Sequence, residues 1–68
     1  MNAVPQPVDR ILRRAEVKRR VGLSIATIYR RMRRGEFPAS VPLGGNIVGW
    51  RESEITAWIA TRGQGGAQ

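Results

Sequence analysis

The sequence predicts a mainly α-helical fold with one small β-hairpin, in the order helix, turn, helix, hairpin, helix. Two short helical patterns are separated only by residues 21–23, with Gly22 in the middle, which is typical of a helix-turn-helix. A glycine-rich segment with alternating apolar residues then predicts a hairpin, and an amphipathic segment predicts a last helix. A hairpin that follows the second helix is a wing, so the predicted fold class is a winged helix-turn-helix.

The length of 68 residues leaves room for one small domain. Residues 1–9 contain Pro5 and Pro7 and little that could be buried, so we interpret them as a disordered N-terminal tail. The end of the chain, residues 63–68, reads GQGGAQ and is interpreted as a flexible C-terminal tail. The winged helix-turn-helix domain is therefore predicted to span residues 10–62.

The first helix is predicted over residues 14–20. Val17 and Val21 lie on its inner side, and Gly22 ends it, because glycine adopts a left-handed conformation without steric penalty. The apolar pair Ile11 and Leu12 precedes this helix. The pattern allows that pair either to form a short strand or to anchor the helix.

The second helix is predicted over residues 24–34. Ser24 is a favourable N-cap, whose hydroxyl can accept a hydrogen bond from the amide of residue 26 or 27, and Gly35 follows the helix. Ile28 and Met32 form the stripe expected to be buried. An ordinary helical hairpin is the alternative, but it would not require arginines to collect on the second helix. The opposite face, which we expect to enter a groove, consists of Ala26, Thr27, Arg30, Arg31 and Arg34.

The hairpin is predicted to have strands near residues 41–43 and 47–50, joined by a turn at Gly44-Gly45. A phosphate-binding loop is disfavoured there, because no Lys-Ser/Thr pair and no βα unit adjoin the glycines. The last helix is predicted over about residues 52–62, with Ile55, Trp58 and Ile59 facing the core. The predicted core residues are Val17, Ile28, Phe37, Trp50 and Trp58.

The charge is concentrated in one third of the chain. The sequence has 12 Lys and Arg residues against 5 Asp and Glu, a formal net charge of +7. Residues 10–34 hold ten of the basic residues and only Glu16 as an acidic one. All of the basic residues except Lys18 are arginines, whose planar guanidinium suits phosphates and guanine edges. This asymmetry favours nucleic-acid binding over a merely solvated surface.

The composition excludes several classes of function. The sequence contains no Cys and no His, which excludes disulfides, thiol chemistry and zinc sites built from these residues. The carboxylates are scattered, and so small a core makes a deep substrate pocket improbable. We therefore predict no enzymatic activity and no catalytic, metal-binding or cofactor-binding residues. No cofactor and no small-molecule partner are expected. No membrane partner is expected either, since no segment has the length and apolar character of a membrane span or signal peptide.

Three segments, LRRAEV, GLSIATIYRRMRRGEFP and LGGNIVGWRESEITAWI, together resemble the AlpA-like, MerR-type winged-helix regulators, a family that overlaps with phage-type excisionases. The resemblance covers nearly all of residues 10–62. It implies a second helix in the major groove and a wing on the adjacent backbone or minor groove. It also implies one of two roles in a mobile element: transcriptional regulation, or control of excision as a recombination directionality factor.

The resemblance also implies roles for individual residues. Ser24 and Thr27 match polar positions at the start of the recognition helix, Tyr29 and Arg30 match a Tyr-Arg pair that touches backbone and bases, and Arg33 matches a basic position. Two positions depart from the pattern. Ile25 stands where Arg or a polar residue is common, and Asn46 stands at the wing tip where Arg or Lys is common, which weakens the expectation of minor-groove insertion.

Combining both lines of reasoning, we expect sequence-specific binding to double-stranded DNA. Because one copy covers few base pairs, we expect several copies to bind direct repeats cooperatively, in the bacterial cytoplasm in association with the nucleoid. An integrase or RNA polymerase is the expected protein contact. The alternatives left open are a small basic RNA-binding protein and a protein-interaction module. The residues expected to contact DNA are Arg13, Arg14, Ser24, Ala26, Thr27, Tyr29, Arg30, Arg31, Arg33, Arg34 and Asn46, with Lys18, Arg19 and Arg20 as further backbone anchors.

Overall fold

A computed structural model describes residues 9–65 of the chain, so residues 1–8 and 66–68 of the two predicted tails lie outside the described residues. Within the described range the elements follow the predicted order, with one strand added at the start. The elements are β1 (Ile11–Arg13), α1 (Arg14–Val21), α2 (Ile25–Arg33), β2 (Val41–Gly44), β3 (Ile47–Arg51) and α3 (Glu52–Gly65). This confirms the predicted winged helix-turn-helix class.

The strands form an antiparallel sheet in the order β1-β3-β2. Strands β2 and β3 are the predicted hairpin. Strand β1 pairs with the far side of β3, with Leu12 opposite Trp50, so Ile11 and Leu12 form a strand rather than only anchoring α1. Leu12 and Trp50 are both buried, on the face of the sheet that the helices cover. The hairpin is thus part of a three-stranded sheet that also contains β1.

The ends of the first two helices follow local sequence signals. Gly22 has a φ of +73° and its amide donates to the Lys18 carbonyl at 2.9 Å, which ends α1. Gly35 also has a φ of +73°, and its amide donates to the Met32 carbonyl at 3.0 Å. Both glycines therefore have the left-handed conformation predicted for them.

The core lies between the sheet and the three described helices. Val17, Ile28, Phe37 and Trp50 are buried as predicted. Trp58 is only half-buried, because its Nε1 donates to the Glu36 carbonyl at 3.0 Å and this holds the polar edge of the indole at the surface. The prediction that Ile59 faces the core was wrong, since its side chain is 37% exposed. Two further buried residues complete the core: Leu12 and Ile55.

The last helix is longer than predicted, and Asp9 is hydrogen-bonded to its start. Helix α3 continues to Gly65, so residues 63–65 of the predicted tail belong to it. At its other end, the Asp9 carboxylate accepts hydrogen bonds from Ser53. Asp9, which the sequence analysis assigned to the N-terminal tail, is therefore in contact with the start of α3.

Candidate nucleic-acid interface

One face of α2 carries a short chain of hydrogen bonds between Ser24, Thr27 and Arg30. The Ser24 hydroxyl accepts from the Thr27 amide at 3.2 Å, as expected for an N-cap, and donates to Thr27 Oγ1 at 2.9 Å. Arg30 Nη2 donates to the same Oγ1 at 3.3 Å. Since a hydroxyl has two acceptor lone pairs and one hydrogen, Thr27 can accept both bonds and still donate outward. The arrangement orients the Arg30 guanidinium along the exposed face.

The opposite face of α2 is held by the core. Ile28 is fully buried, and the half-buried Tyr29 packs on Trp50 with its ring centroid 6.3 Å away. Met32 is also half-buried against the core cluster. These contacts fix the rotation of α2 about its own axis. They therefore determine which side chains α2 presents to a ligand.

The predicted binding residues on α2 and just after it differ in how exposed their side chains are. Ala26, Arg30 and Arg33 are exposed, whereas Arg31 is half-buried. The Arg34 side chain is 62% exposed, and its Nη1 lies 4.0 Å from Glu36 Oε1. An exposed ion pair at this distance contributes little and does not prevent Arg34 from approaching a phosphate.

The end of β1 and helix α1 place further cations beside the start of α2. Arg13, Arg14 and Lys18 line a shallow depression of about 460 Å³ together with Ile25, the first residue of α2. Within residues 9–65, none of these three cations forms an ion pair. The structure thus brings Arg13 and Arg14 to the same side as the N-terminal end of α2. Ile25 is apolar and lies beside these three cations, at a position where Arg or a polar residue is common in the family that the chain resembles.

Arg20 forms ion pairs with two glutamates, one on α1 and one on α3. Its Nε donates to Glu16 Oε2 at 2.9 Å, and its Nη1 donates to Glu52 Oε2 at 2.8 Å. The hydrogen bond from Arg20 lowers the pKa of Glu16, and the bonds to Glu16 and then Glu52 raise the pKa of Arg20. Arg19 also forms an ion pair with Glu16. Arg20 therefore links α1 to α3 through its ion pairs with Glu16 and Glu52.

The hairpin turn is uncharged. Gly44 and Gly45 have φ angles of +111° and +57°, and Asn46 follows them as an exposed residue. No charged residue occurs from Phe37 to Trp50. Asn46 lies on a separate element from α2, and residues 37–50 add no positive charge to the interface.

The described residues offer little for other kinds of chemistry. They contain no group of three or more acidic, His or Cys side chains that could hold a metal ion. A depression of about 650 Å³ is an open groove between residues 35–41 and α3, with Glu54, Trp58 and Arg62 among its lining. In the described part of the chain, no helix has the length and apolar character needed to cross a membrane.

Sequence reasoning missed the ion-pair network of Glu16, Arg20 and Glu52. The spacing of Glu16 and Arg20, four residues apart on a helix, was the available signal, since such pairs face each other. Glu52 could not be assigned in the same way, because it is 32 residues from Arg20 in sequence.

The chain is similar to a known protein family and to a known phage protein. Residues 10–63 match the family described as the prophage CP4-57 regulatory protein AlpA. Over 54 residues the chain is 54% identical to an uncharacterized protein, ORF88, of Enterobacteria phage P4. That alignment covers 79% of this chain and 61% of the phage protein, so the chain spans about three fifths of the length of this relative.

Proposed function

The chain belongs to the AlpA family of prophage regulatory proteins, as its sequence resemblance indicated, and from this premise we propose that it binds double-stranded DNA sequence-specifically through α2. The observation that carries the proposal is the hydrogen-bonded line of Ser24, Thr27 and Arg30 along one side of α2, a helix held in the core by the buried Ile28. Short polar side chains at the start of a helix allow close approach to the base pairs. A preoriented arginine one turn later supplies a guanine contact.

In this proposal, Thr27, Arg30 and Arg31 read base edges in the major groove. Arg30 supplies the main contact, since a bidentate arginine–guanine pair is worth about 1–3 kcal/mol of discrimination. Ala26 lies against the groove wall, where its small size permits close approach. Phosphate contacts come from Ser24, Tyr29, Arg33 and Arg34.

Cations at the end of β1 and on α1 extend the phosphate contacts on one side. Arg13, Arg14 and Lys18 border Ile25 and form no ion pair within residues 9–65, so they are available to phosphates next to the end of α2. Asn46 at the hairpin turn makes a minor contact, because it brings no charge. With on the order of 5–7 phosphates neutralised, log affinity falls against log salt with a slope of about −5 to −6.

The biological role that follows is regulation of genes or excision in a mobile element, in the bacterial cytoplasm. Excision control and promoter regulation require the same docking domain. They differ in whether the DNA site adjoins an attachment site or a promoter, and in whether an integrase or RNA polymerase is the contacted protein. A single small module buries only roughly 600–1,000 Å², so we propose cooperative occupancy of direct repeats. No catalytic role is proposed.

The experiment is selection of bound duplexes from a random pool, followed by affinity measurements on the selected motif, a scrambled duplex and a structured RNA. Arg30→Ala is expected to relax selectivity at one base position. Arg33→Ala is the matched control and should weaken selected and scrambled duplexes alike. Equal loss on both duplexes for Arg30→Ala would reassign Arg30 to a phosphate, and tighter binding to the RNA would contradict the proposal as a whole.

A further inference from the structure

The proposed DNA contacts of α2 do not involve Ile25, its first residue. Ile25 is half-buried, and part of its side chain packs against the core cluster. The remainder lines a depression of about 460 Å³ together with Arg13, Arg14, Ala15 and Lys18. An apolar side chain therefore stays at the surface, next to cations that bind phosphates in the proposed complex.

The residues around this depression suit an apolar group that is attached to a polyanion. Ile25 and Ala15 supply apolar surface, and the three cations supply positive charge. The aliphatic stems of arginine and lysine add further apolar surface below their charged ends. A free phosphate would contact the cations but would gain nothing from Ile25. A base edge that lies next to its own phosphates can contact both.

In the proposed docking, the position of Ile25 in α2 brings it to the base edges. The N-terminal residues of the second helix of a helix-turn-helix contact base edges in the major groove. Ile25 immediately follows the N-cap Ser24, and its side chain cannot form a hydrogen bond. The apolar group on the base edges of the major groove is the C5-methyl of thymine. This methyl lies on the side of the base nearest the backbone of its own strand, so cations that bind that backbone would border the side chain that meets the methyl.

We propose that Ile25 is a specificity-determining residue that contacts the C5-methyl of a thymine in the DNA site. This inference rests on the proposed function, and it adds a thymine to the guanine assigned to Arg30. Ile25 and Arg30 are separated by about 7.5 Å along α2, which exceeds the roughly 3.4 Å between successive base pairs. The thymine and the guanine therefore belong to different base pairs.

The test uses the full chain and the duplex motif selected from the random pool. Each thymine of the motif is replaced in turn by deoxyuridine, which removes the C5-methyl and keeps the hydrogen-bonding groups of the base. At one thymine, this replacement should weaken binding of the wild-type chain about three- to five-fold, as expected for the loss of one buried methyl group.

Variants of Ile25 separate a contact with the methyl from a structural role. Ile25→Ala should bind the thymine duplex and the deoxyuridine duplex with equal affinity. Ile25→Val keeps two of the methyl groups and should still prefer thymine. Ile59→Ala is the matched control, because Ile59 is 37% exposed on α3, outside the proposed DNA contacts, and it should keep the full wild-type preference.

The ratio of the affinities for the two duplexes is the deciding measurement, because a loss of stability weakens binding to both alike. An Ile25→Ala variant that binds more weakly but keeps the wild-type ratio would make Ile25 a purely structural residue and overturn the inference. A selected motif without thymine, or a wild-type chain that binds every deoxyuridine duplex as tightly as the motif, would overturn it as well. Failure of the wild-type chain to select any motif would instead count against the proposed function.

Discussion

The Asp9 carboxylate binds Ser53 through both of its oxygens. Oδ1 accepts from the Ser53 amide at 3.0 Å and Oδ2 accepts from the Ser53 hydroxyl at 2.9 Å. The Glu52 amide donates to the Arg10 carbonyl at 2.8 Å. Residues 9 and 10 thereby satisfy amides at the start of α3 that have no partner within the helix. Asp9 is distant in sequence from α3 but takes the role of its N-cap residue.

Asp9→Ala is expected to lower the free energy of unfolding by about 0.5–2 kcal/mol, the usual cost of losing a cap. Asp9→Asn is the control, because its amide oxygen can still accept from Ser53. Urea unfolding followed by tryptophan fluorescence measures both variants. Equal stability of Asp9→Ala and the wild-type chain would show that the contact with Ser53 contributes nothing to folding.

Ser24→Ala is expected to cost about 1 kcal/mol of stability, because it removes the acceptor for the Thr27 amide. Thr27→Val is the comparison: the cap bond to the amide remains, while the hydroxyl that contacts Arg30 is lost. Thr27→Val should therefore fold nearly as stably as wild type but bind the selected duplex more weakly. The idea that Thr27 orients Arg30 fails if Thr27→Val keeps full affinity.

Gly49→Ala is expected to destabilise the fold by about 1–3 kcal/mol, as overpacking does. The added β-carbon would overlap Ile11 Cγ2 and lie 3.0 Å from the Leu12 carbonyl oxygen, which is part of the backbone and cannot turn away. Adding Ile11→Ala to this variant should recover part of the loss. Thermal unfolding of the single and double variants checks this, and a double variant no more stable than Gly49→Ala would place the conflict at the backbone alone.

Lys18 and Arg20 both lie on α1, but substituting them should affect the salt dependence of DNA binding differently. Lys18→Gln is expected to make the slope of log affinity against log salt shallower by about 0.9, the value for one phosphate contact. Arg20→Gln should leave that slope nearly unchanged and instead lower stability, because Arg20 is bound to Glu16 and Glu52. Titrations at several salt concentrations separate the two residues. An equal change of slope in both variants would return Arg20 to the phosphate contacts.

The lowered pKa of Glu16 predicts the direction of a pH effect. A carboxyl whose pKa is lower in the folded than in the unfolded chain stabilises the fold above its unfolded pKa. That stability is lost as the pH falls below the ordinary glutamate value of 4.5 and passes through the lowered folded pKa. Glu16→Gln should therefore flatten the acid side of the stability profile in urea unfolding. Glu54→Gln is the control, and an unchanged profile for Glu16→Gln would contradict the prediction.

The parts of the fold that depend on neighbouring residues could be predicted from the sequence. The ends of α2 at Ser24 and Gly35 follow from capping rules that involve only a few residues. The exposed face with Ala26 and Arg30 follows from the helical period once Ile28 is taken as buried. The predicted DNA roles of these residues remain predictions.

The parts that depend on distant residues could not be predicted. The contact between Asp9 and Ser53 spans 44 residues, and a sequence pattern gives no sign of such a pair. The pairing of Leu12 with Trp50 was open for the same reason. Ile59 was misplaced because Ile55 and Trp58 already fill the inner side of α3, which a helical period alone does not reveal.

The pairing of β1 with β3 has a consequence for synthesis of the chain on the ribosome. Ile11 pairs with Arg51, so β1 cannot pair until the residues between them have been synthesised. That synthesis takes roughly 2–8 s at about 5–20 residues per second. Helix α2 is translated before Trp50 and Ile55, the residues that support its buried side. A nascent chain or a fragment that stops before residue 50 therefore has the arginines of α2 but not the packing that orients them. The DNA binding proposed for α2 therefore requires synthesis of the chain past Ile55.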